Sequence, residues 1–253
     1  MGIVEGVTEF LPISSTGHLI LASKILQLPS TEFLKSFMVA IQLGAILAVV
    51  VLYWKSFFVK FKILKKIIVA FLPTAALGLI FYKIVKQFLL GSEEVVLWAL
   101  FLGGVFLIIF EWKYSKKPDA VEEVEKITWR QALLIGVFQS VAIIPGVSRA
   151  AATIVGGLLL GLKRKTIVEF SFLLAVPTMA AATGLDLLES GKNFSLEEFG
   201  LLALGFVFSF LTALAAIRFF LNFIEKHSFT FFGVYRVILA LAWWAGTLFL
   251  LRI

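Results

Sequence analysis

Six long apolar segments constrain the fold of this 253-residue chain more than any other feature. Each has close to the 20 or so residues that an α-helix needs to cross a bilayer. The chain is 60% apolar and its mean hydropathy is +1.02, so a water-soluble globule could not bury its apolar side chains. The sequence therefore predicts an all-α, polytopic membrane protein with a single domain. The six predicted spans are Ser36–Trp54, Ile67–Ile84, Val95–Trp112, Phe170–Leu188, Gly200–Phe219 and Val234–Leu251.

Two further apolar regions are too interrupted to form simple spans. Gly2–Leu26 is broken by Pro12, and Ile127–Leu162 is broken by Pro145 and Gly146. The apolar part of each half is about 10–14 residues long, which reaches only to the middle of a bilayer. Because irregular backbone at that depth needs shelter inside the protein, we predict two re-entrant helical hairpins, each of which enters and leaves the membrane on one face.

The two halves of the chain are weakly similar, which predicts an internal repeat. The matches fall at the broken regions and just beyond them: Gly2–Glu5 with Gly136–Gln139, Pro12 with Pro145, and Glu32-Phe33 with Glu169-Phe170. Repeat one then covers residues 1–126 approximately and repeat two covers 127–253. Each has one hairpin and three spans, and because three is odd the second repeat is inverted. Inverted repeats with broken helices place a polar site near the midplane, where the hairpins meet.

The distribution of basic residues predicts the orientation. The Lys55–Lys66 loop contains five lysines, and lysine and arginine accumulate on the cytoplasmic side. The other loops then follow in alternation. Those predicted to be cytoplasmic are Lys113–Lys126, Lys163–Lys165 and Phe220–Gly233, and those predicted to be outside are Gln27–Lys35, Lys86–Glu94 and Glu189–Glu198.

The net charge of +7 does not indicate a nucleic-acid partner, because no basic run is interleaved with stacking aromatic residues. The chain has no cysteine, which excludes disulfides, thiolate metal ligands and a cysteine nucleophile. The remaining partners to expect are membrane lipids and a small ligand.

The first broken region carries polar side chains at a costly depth, which favours a functional site. Glu5 and Glu9 are four residues apart and share a helix face, and such a pair of oxygen ligands suits Mg²⁺ or Ca²⁺. The residues Ser14, Ser15 and Thr16 are predicted to cap the outgoing half-helix, whose free N–H groups attract anions. His18 lies in the first turn of that helix.

The second broken region repeats this pattern with a positive charge. After Pro145 and Gly146 come Ser148, at the predicted start of a helix, and Arg149. A guanidinium presents a fork of donors that fits two phosphate oxygens. Together the two regions predict a site for a phosphate ester and a divalent cation.

The run Val4–His18 and the motif Pro145-Gly146-x-Ser148-Arg149 resemble the two signatures of the undecaprenyl-pyrophosphate phosphatase family, also called the bacitracin-resistance family. The resemblance covers essentially the whole chain. It implies a hydrolase of eight hydrophobic elements in the bacterial inner membrane, often seen as a homodimer. One departure is that Ala150 and Ala151 stand where the family usually has Ser-Gly after the arginine.

The resemblance also implies roles for particular residues. Those implied to serve catalysis are Glu5, Glu9, Ser15, His18 and Arg149. To these we add Ser14 and Ser148 as catalytic candidates. As substrate-binding candidates we name Thr16, Gln139, Gly146, Ser148 and Arg149, and we name Glu5 and Glu9 as ligands of the cation.

The leading hypothesis from the sequence is hydrolysis of a C55 polyprenyl diphosphate to the monophosphate, at a site reached from the outer leaflet. His18 is expected to deprotonate Ser15 or to activate water, while Arg149 binds the terminal phosphate. An alternative assignment stays open, in which a glutamate is the base and the substrate supplies most of the ligands of the metal. A flippase or transporter for a lipid-linked phosphate is the alternative function. An ion channel is the weakest hypothesis, because the sequence shows no ring of repeated selectivity-filter residues.

Overall fold

The computed structural model describes residues 1–85, 89, 92–114, 120–190 and 195–250. In these ranges the chain is α-helical apart from turns, two short 3₁₀ segments and one isolated β-bridge, so the all-α fold is confirmed. The α-helices are α1 (Gly2–Thr8), α2 (Ser15–Ile25), α3 (Glu32–Ala40), α4 (Gln42–Leu52), α5 (Trp54–Phe58), α6 (Phe61–Ile84), α7 (Glu93–Lys113), α8 (Trp129–Ser140), α9 (Arg149–Leu159), α10 (Arg164–Ser190), α11 (Leu196–Lys226) and α12 (Thr230–Leu250).

Six segments of the described chain are long and apolar enough to cross a membrane, and each contains or overlaps one predicted span. α3 and α4, which meet at Ile41, together make the first of them. The chain is therefore a multi-pass membrane protein. The six segments are Glu32–Leu52, Phe61–Phe81, Glu93–Lys113, Arg164–Asp186, Leu196–Lys226 and Thr230–Leu248.

Four of the predicted loops are shorter than the sequence suggested. In the first, Gln27–Lys35, α3 already begins at Glu32. The Lys55–Lys66 segment is largely helical, since α5 occupies part of it and α6 already begins at Phe61. Likewise α10 begins at Arg164, and α11 continues to Lys226. Lysine and arginine favour helices and can extend their charged ends away from an apolar surface, so a helix continues past its apolar stretch. The predicted loops Lys86–Glu94, Lys113–Lys126 and Glu189–Glu198 lie partly outside the described residues.

The helix breaks were predicted at Pro12 and Pro145, and in the structure each helix ends a few residues before its proline. α1 ends at Thr8, four residues before Pro12, and α8 ends at Ser140, five residues before Pro145. The ring of a proline clashes with the carbonyl four residues earlier, so a regular helix cannot extend far beyond these positions. The short helices α2 and α9 then lead away from the breaks.

The broken regions pack against long helices from the other half of the chain. α1 packs against α11, and α8 packs against α6, while α4 contacts α10 and α7 contacts α12. Two glycines permit the close approach of the short helices. A Cβ atom at Gly6 would overlap the backbone of α11 at Ser209, and one at Gly136 would overlap the backbone of α6 at Ala70. This packing holds both breaks in the interior of the protein.

Candidate active site

A buried ion pair joins the two broken regions. Arg149 is the first residue of α9, and its Nη2 lies 2.8 Å from Oε1 of Glu9, which caps the end of α1. Only 7% of the Arg149 side chain and 4% of the Glu9 side chain are exposed. Nη1 of Arg149 also donates to Ser171 on α10, at 2.7 Å from its carbonyl oxygen and 3.2 Å from its hydroxyl. These bonds fix the orientation of a charge that would be costly to bury alone.

The second oxygen of the Glu9 carboxylate accepts a hydrogen bond from the hydroxyl of Ser15. Ser15 is buried at the first position of α2. The Glu9 carboxylate therefore lies between the hydroxyl of Ser15 and the guanidinium of Arg149. A carboxylate bonded to a serine hydroxyl can take its proton as the oxygen attacks an electrophile. Of the bases that the sequence left open for Ser15, the geometry places Glu9 in contact with it.

Both outgoing helices begin at a capping serine. Of the three residues predicted to cap α2, Ser14 is the N-cap, whereas Ser15 and Thr16 lie within the helix. Ser14 Oγ accepts from the backbone N–H of Gly17 at 3.3 Å, and Ser148 Oγ accepts from that of Ala151 at 3.1 Å. Ser148 also donates to the carbonyl oxygen of Leu11 at 3.4 Å, which links the two breaks directly. The N-termini of α2 and α9 thus lie at one site, where their unpaired N–H groups favour an anion.

The backbone of Ser14 is strained. Its φ of 71° lies in a region that residues other than glycine rarely adopt, and such a conformation costs about 1–3 kcal/mol. The turn places the adjacent Ser15 hydroxyl against Glu9. Strain of this kind persists where the surrounding contacts hold it, which makes the turn itself part of the site.

The two helix starts line a cavity of about 60 Å³. This volume corresponds to about two water molecules in the liquid. Thr16, predicted to bind substrate, lies on its wall, as do Gln42 and Met179, which the sequence did not single out. The lining is Glu9, Ser14, Ser15, Thr16, Gln42, Ala142, Val147, Ser148, Arg149 and Met179.

Glu5 is fully buried one helical turn before Glu9, and neither of its carboxylate oxygens has a hydrogen-bond partner in the structure. A cation between the two carboxylates would satisfy these oxygens, which are of the type that Mg²⁺ and Ca²⁺ prefer. The residues present therefore fit the expected divalent cation. The described residues contain no cluster of three or more His, Cys, Asp or Glu side chains, so phosphate and water would complete the shell.

His18 lies beside the site but does not contact Ser15 through a hydrogen bond. Its Nδ1 is 2.8 Å from the carbonyl oxygen of Ser14, and its Nε2 is 2.8 Å from the hydroxyl of Tyr235 on α12. The two rings are stacked, with centroids 5.6 Å apart and planes at 7°. Both ring nitrogens are therefore occupied by partners other than the predicted nucleophile.

The other two predicted contacts lie away from the cavity wall. Gln139 is fully buried, and its amide nitrogen donates to Thr74 at 2.9 Å and to Thr178 at 3.1 Å. Gly146 forms the tip of the second break with a φ of 91°, and a Cβ atom there would crowd Val96. Gln139 and Gly146 therefore support the second broken region and do not line the cavity.

The family model described as "Bacitracin resistance protein BacA" matches residues 1–242. The chain belongs to this family. Curated relatives named undecaprenyl-diphosphatase are similar along nearly their whole length. The relative from Aquifex aeolicus is 52% identical over 249 residues (98% of this chain, 97% of the relative), that from Sulfurihydrogenibium sp. is 51% identical over 244 (96% of each), and that from Wolinella succinogenes is 49% identical over 241 (95% and 93%).

In this member of the bacitracin resistance family, Arg236 on α12 forms hydrogen bonds to both breaks, although the sequence did not single it out. Arg236 is 1% exposed, and among the described residues its guanidinium donates to four carbonyl oxygens. Nη1 donates to Pro12 at 3.3 Å, and Nη2 donates to Gly146 at 3.1 Å and to Ala99 at 2.8 Å, while Nε donates to Leu100 at 3.3 Å. An arginine inside a predicted span was the signal that could have found it.

Proposed function

We propose that this chain hydrolyses undecaprenyl diphosphate, a C55 polyprenyl diphosphate, to undecaprenyl phosphate and inorganic phosphate. The observation that carries the proposal is the contact chain from Ser15 through Glu9 to Arg149, buried between two helix N-termini in a membrane protein. A nucleophile, a base and a phosphate-binding cation are the groups that phosphoryl transfer needs. The name shared by the relatives supports the lipid substrate. The product would return a lipid carrier to cell-wall synthesis.

The reaction begins at the Ser15 hydroxyl. Its oxygen attacks the terminal phosphorus, and its proton passes to the Glu9 carboxylate. The bond between that phosphorus and the bridging oxygen breaks, and polyprenyl phosphate leaves. Water then attacks the phosphoserine, which releases inorganic phosphate and restores the hydroxyl. Direct attack by a water molecule held by Glu9 is the alternative, and it needs no covalent intermediate.

Arg149 and the two helix N-termini bind the terminal phosphate. The Arg149–Glu9 pair lines the small cavity between them, so a diphosphate that enters the cavity meets this pair. A phosphate at the start of α9 would compete for the guanidinium and leave Glu9 free to accept a proton. Substrate binding and activation of the base would then be one event.

Glu5 and Glu9 would hold the divalent cation. When bound, the cation neutralises charge on the diphosphate oxygens. Glu5 fits this role best among the candidate residues, because its two buried oxygens lack any other partner in the structure.

We also propose that the fold consists of two inverted repeats, each a re-entrant hairpin followed by three spans. Reciprocal packing supports this. α1 packs against α11 of the second half, and α8 packs against α6 of the first. The close glycine contacts correspond as well, since Gly2 faces Gly205 of α11 and Gly136 faces Ala70 of α6. Such swapped contacts are what a pseudo-two-fold axis produces.

The site is proposed to open to the outer side of the bacterial inner membrane. Lys60, just before α6, pairs with Glu125, and Lys163, between α9 and α10, pairs with Glu122. These basic residues therefore lie toward one end of the bundle, which the positive-inside tendency assigns to the cytoplasm. The short α1 then begins at the opposite, outer end. A homodimer is an expectation from the family resemblance only.

Phosphate release from undecaprenyl diphosphate by purified protein in detergent tests the proposed function. Detergent abolishes the two sides of a membrane, so a flippase would show no turnover. Ser15→Ala should remove nearly all activity. Ser23→Ala should leave it intact, because in the described part of the chain this buried hydroxyl donates to Ile20 on the same helix. Wild-type protein that binds the lipid but releases no phosphate would contradict the proposal.

A further inference from the structure

Tyr235 occupies a position that the proposed reaction does not use. It lies on α12, and its phenol oxygen is 2.8 Å from Nε2 of His18. The neighbouring residue, Arg236, bonds to the tips of both breaks. The start of α12 therefore contacts the site at adjacent residues, which suggests that its side chains position the site.

The partners of His18 determine which ring nitrogen carries the proton. Nδ1 faces the carbonyl oxygen of Ser14, which can only accept a hydrogen bond, so Nδ1 must be the donor. In the neutral ring Nε2 is then unprotonated and accepts from the hydroxyl of Tyr235. The phenol thereby favours the tautomer that binds the Ser14 carbonyl.

The carbonyl of Ser14 belongs to the strained turn before the nucleophile. It also accepts the first helical bond of α2, from the backbone N–H of His18 at 3.2 Å. The imidazole therefore adds a second bond to the same oxygen and holds the turn whose φ is 71°. The next residue is Ser15, whose hydroxyl bonds to Glu9.

We infer that Tyr235 is a positioning residue: its hydroxyl holds His18 as the Nδ1–H tautomer, and His18 in turn holds the Ser14 turn that presents Ser15 to Glu9. This inference rests on the proposed function, and it deepens it, because His18 acts by holding a carbonyl and not by taking the proton of Ser15. Substrate contacts with Tyr235 are not required.

Nitrogen NMR of the histidine side chains tests the first step without substrate. The chain has two histidines, and His227 is an exposed residue beyond α11, so His227→Gln leaves one labelled imidazole. At about pH 8, where histidine is normally neutral, we expect a protonated Nδ1 and an unprotonated Nε2. Tyr235→Phe removes one of the two bonds that favour this tautomer, so signals of the Nε2–H tautomer should appear beside it. An unchanged pattern in Tyr235→Phe would overturn the inference.

Kinetics test the second step. Tyr235→Phe should lower kcat about five- to tenfold, the effect of one hydrogen bond, and leave KM within about twofold. Tyr114→Phe is the matched control, because Tyr114 follows α7 and its phenol bonds only weakly, at 3.5 Å, to Leu158. Equal kcat values for the two variants would overturn the inference. If no phosphate is released by any form, the proposed function fails, and the NMR result alone decides the role of Tyr235.

Two substitutions of His18 separate holding from proton transfer. In His18→Asn the amide nitrogen can take the place of Nδ1 and donate to the Ser14 carbonyl, whereas in His18→Gln it lies nearer the place of Nε2. Neither amide can act as a base. We expect His18→Asn to retain at least fivefold more activity than His18→Gln or His18→Ala. Equal loss in all three would mean that His18 transfers protons, and would overturn the inference.

Discussion

The two broken regions have the same backbone arrangement but carry side chains of opposite charge. Each has a short helix that ends ahead of a proline, a turn, and a serine that caps the next short helix. The first region supplies a hydroxyl and two carboxylates, and the second supplies a guanidinium. Neither region alone has the groups that phosphoryl transfer needs. The site exists only where the two meet, at the contact between Glu9 and Arg149.

Glu5 and Gln139 occupy corresponding positions of the two regions and differ in charge. Both are fully buried. The amide nitrogen of Gln139 donates to Thr74 and Thr178, which anchors α8 to its neighbours, although its amide oxygen has no hydrogen-bond partner in the structure. Glu5 has no hydrogen-bond partner on either carboxylate oxygen. A buried carboxylate with no partner is costly, which is consistent with the proposed cation site in the first region, whereas the amide of Gln139 carries no charge.

The largest expected effect is that of Arg149→Lys, which keeps the charge of the second region and removes the fork. Lysine has no planar fork of donors, so it cannot bond to Ser171 and to two phosphate oxygens at once. If Arg149 stabilises the charge that develops on the phosphate, kcat should fall by about 10²–10³, or roughly 2.7–4 kcal/mol, with a smaller change in KM. Steady-state phosphate release measures both values.

Arg164→Lys is the matched control for that experiment. Arg164 begins α10 and forms a two-bonded pair with Glu111, away from the cavity. Its replacement should leave kcat within about threefold, on the scale of a single hydrogen bond. An Arg149→Lys variant that keeps the same activity as this control would show that Arg149 does not bind the terminal phosphate.

The next effect concerns the bare carboxylate. Glu5→Gln keeps the shape of the side chain and removes its charge, so cation binding should weaken and activity should fall by tenfold or more, as expected when about 1.4 kcal/mol or more of binding is lost. A chelator should abolish wild-type activity, and Mg²⁺ or Ca²⁺ should restore it. The exposed Glu94→Gln is the control. Full, cation-dependent turnover by Glu5→Gln would assign the metal to other ligands.

The sequence predicted those parts of the fold and site that depend on local signals. Long apolar stretches give the spans, a proline ends each short helix, and a serine starts the next one. The pairing of Ser15 with Glu9 could not be derived, because it depends on the conformation of the turn at Ser14, which no rule for a serine would favour. The contacts of Tyr235 with His18 and of Arg236 with Pro12 join residues more than 200 positions apart, and the packing of the helices brings them together.

Arg236→Met tests whether the two breaks need a common anchor. Methionine fills a similar volume but leaves at least two buried carbonyl oxygens, those of Pro12 and Gly146, without this donor. An unsatisfied buried acceptor costs about 1–3 kcal/mol, so the unfolding midpoint in detergent should drop clearly. Arg218→Met, on an exposed face of α11, should have little effect. Equal midpoints for the two variants would show that the breaks hold their positions without Arg236.

The smallest expected difference separates the two capping serines. Replacing either serine by glycine loses a cap worth a few tenths of a kcal/mol and adds about 0.5–1 kcal/mol of backbone entropy. At Ser148, where φ is −69°, nothing offsets these costs, so Ser148→Gly should destabilise the protein by about 1 kcal/mol. At Ser14, where φ is 71°, glycine also relieves about 1 kcal/mol of strain, and Ser14→Gly should be nearly neutral. Yet Ser14→Gly should lower kcat more, because the freed turn no longer holds Ser15 against Glu9. Unfolding midpoints and kcat for both variants, measured side by side, would reveal this opposite ranking; the same ranking in both measurements would mean that the strain at Ser14 has no part in positioning the nucleophile.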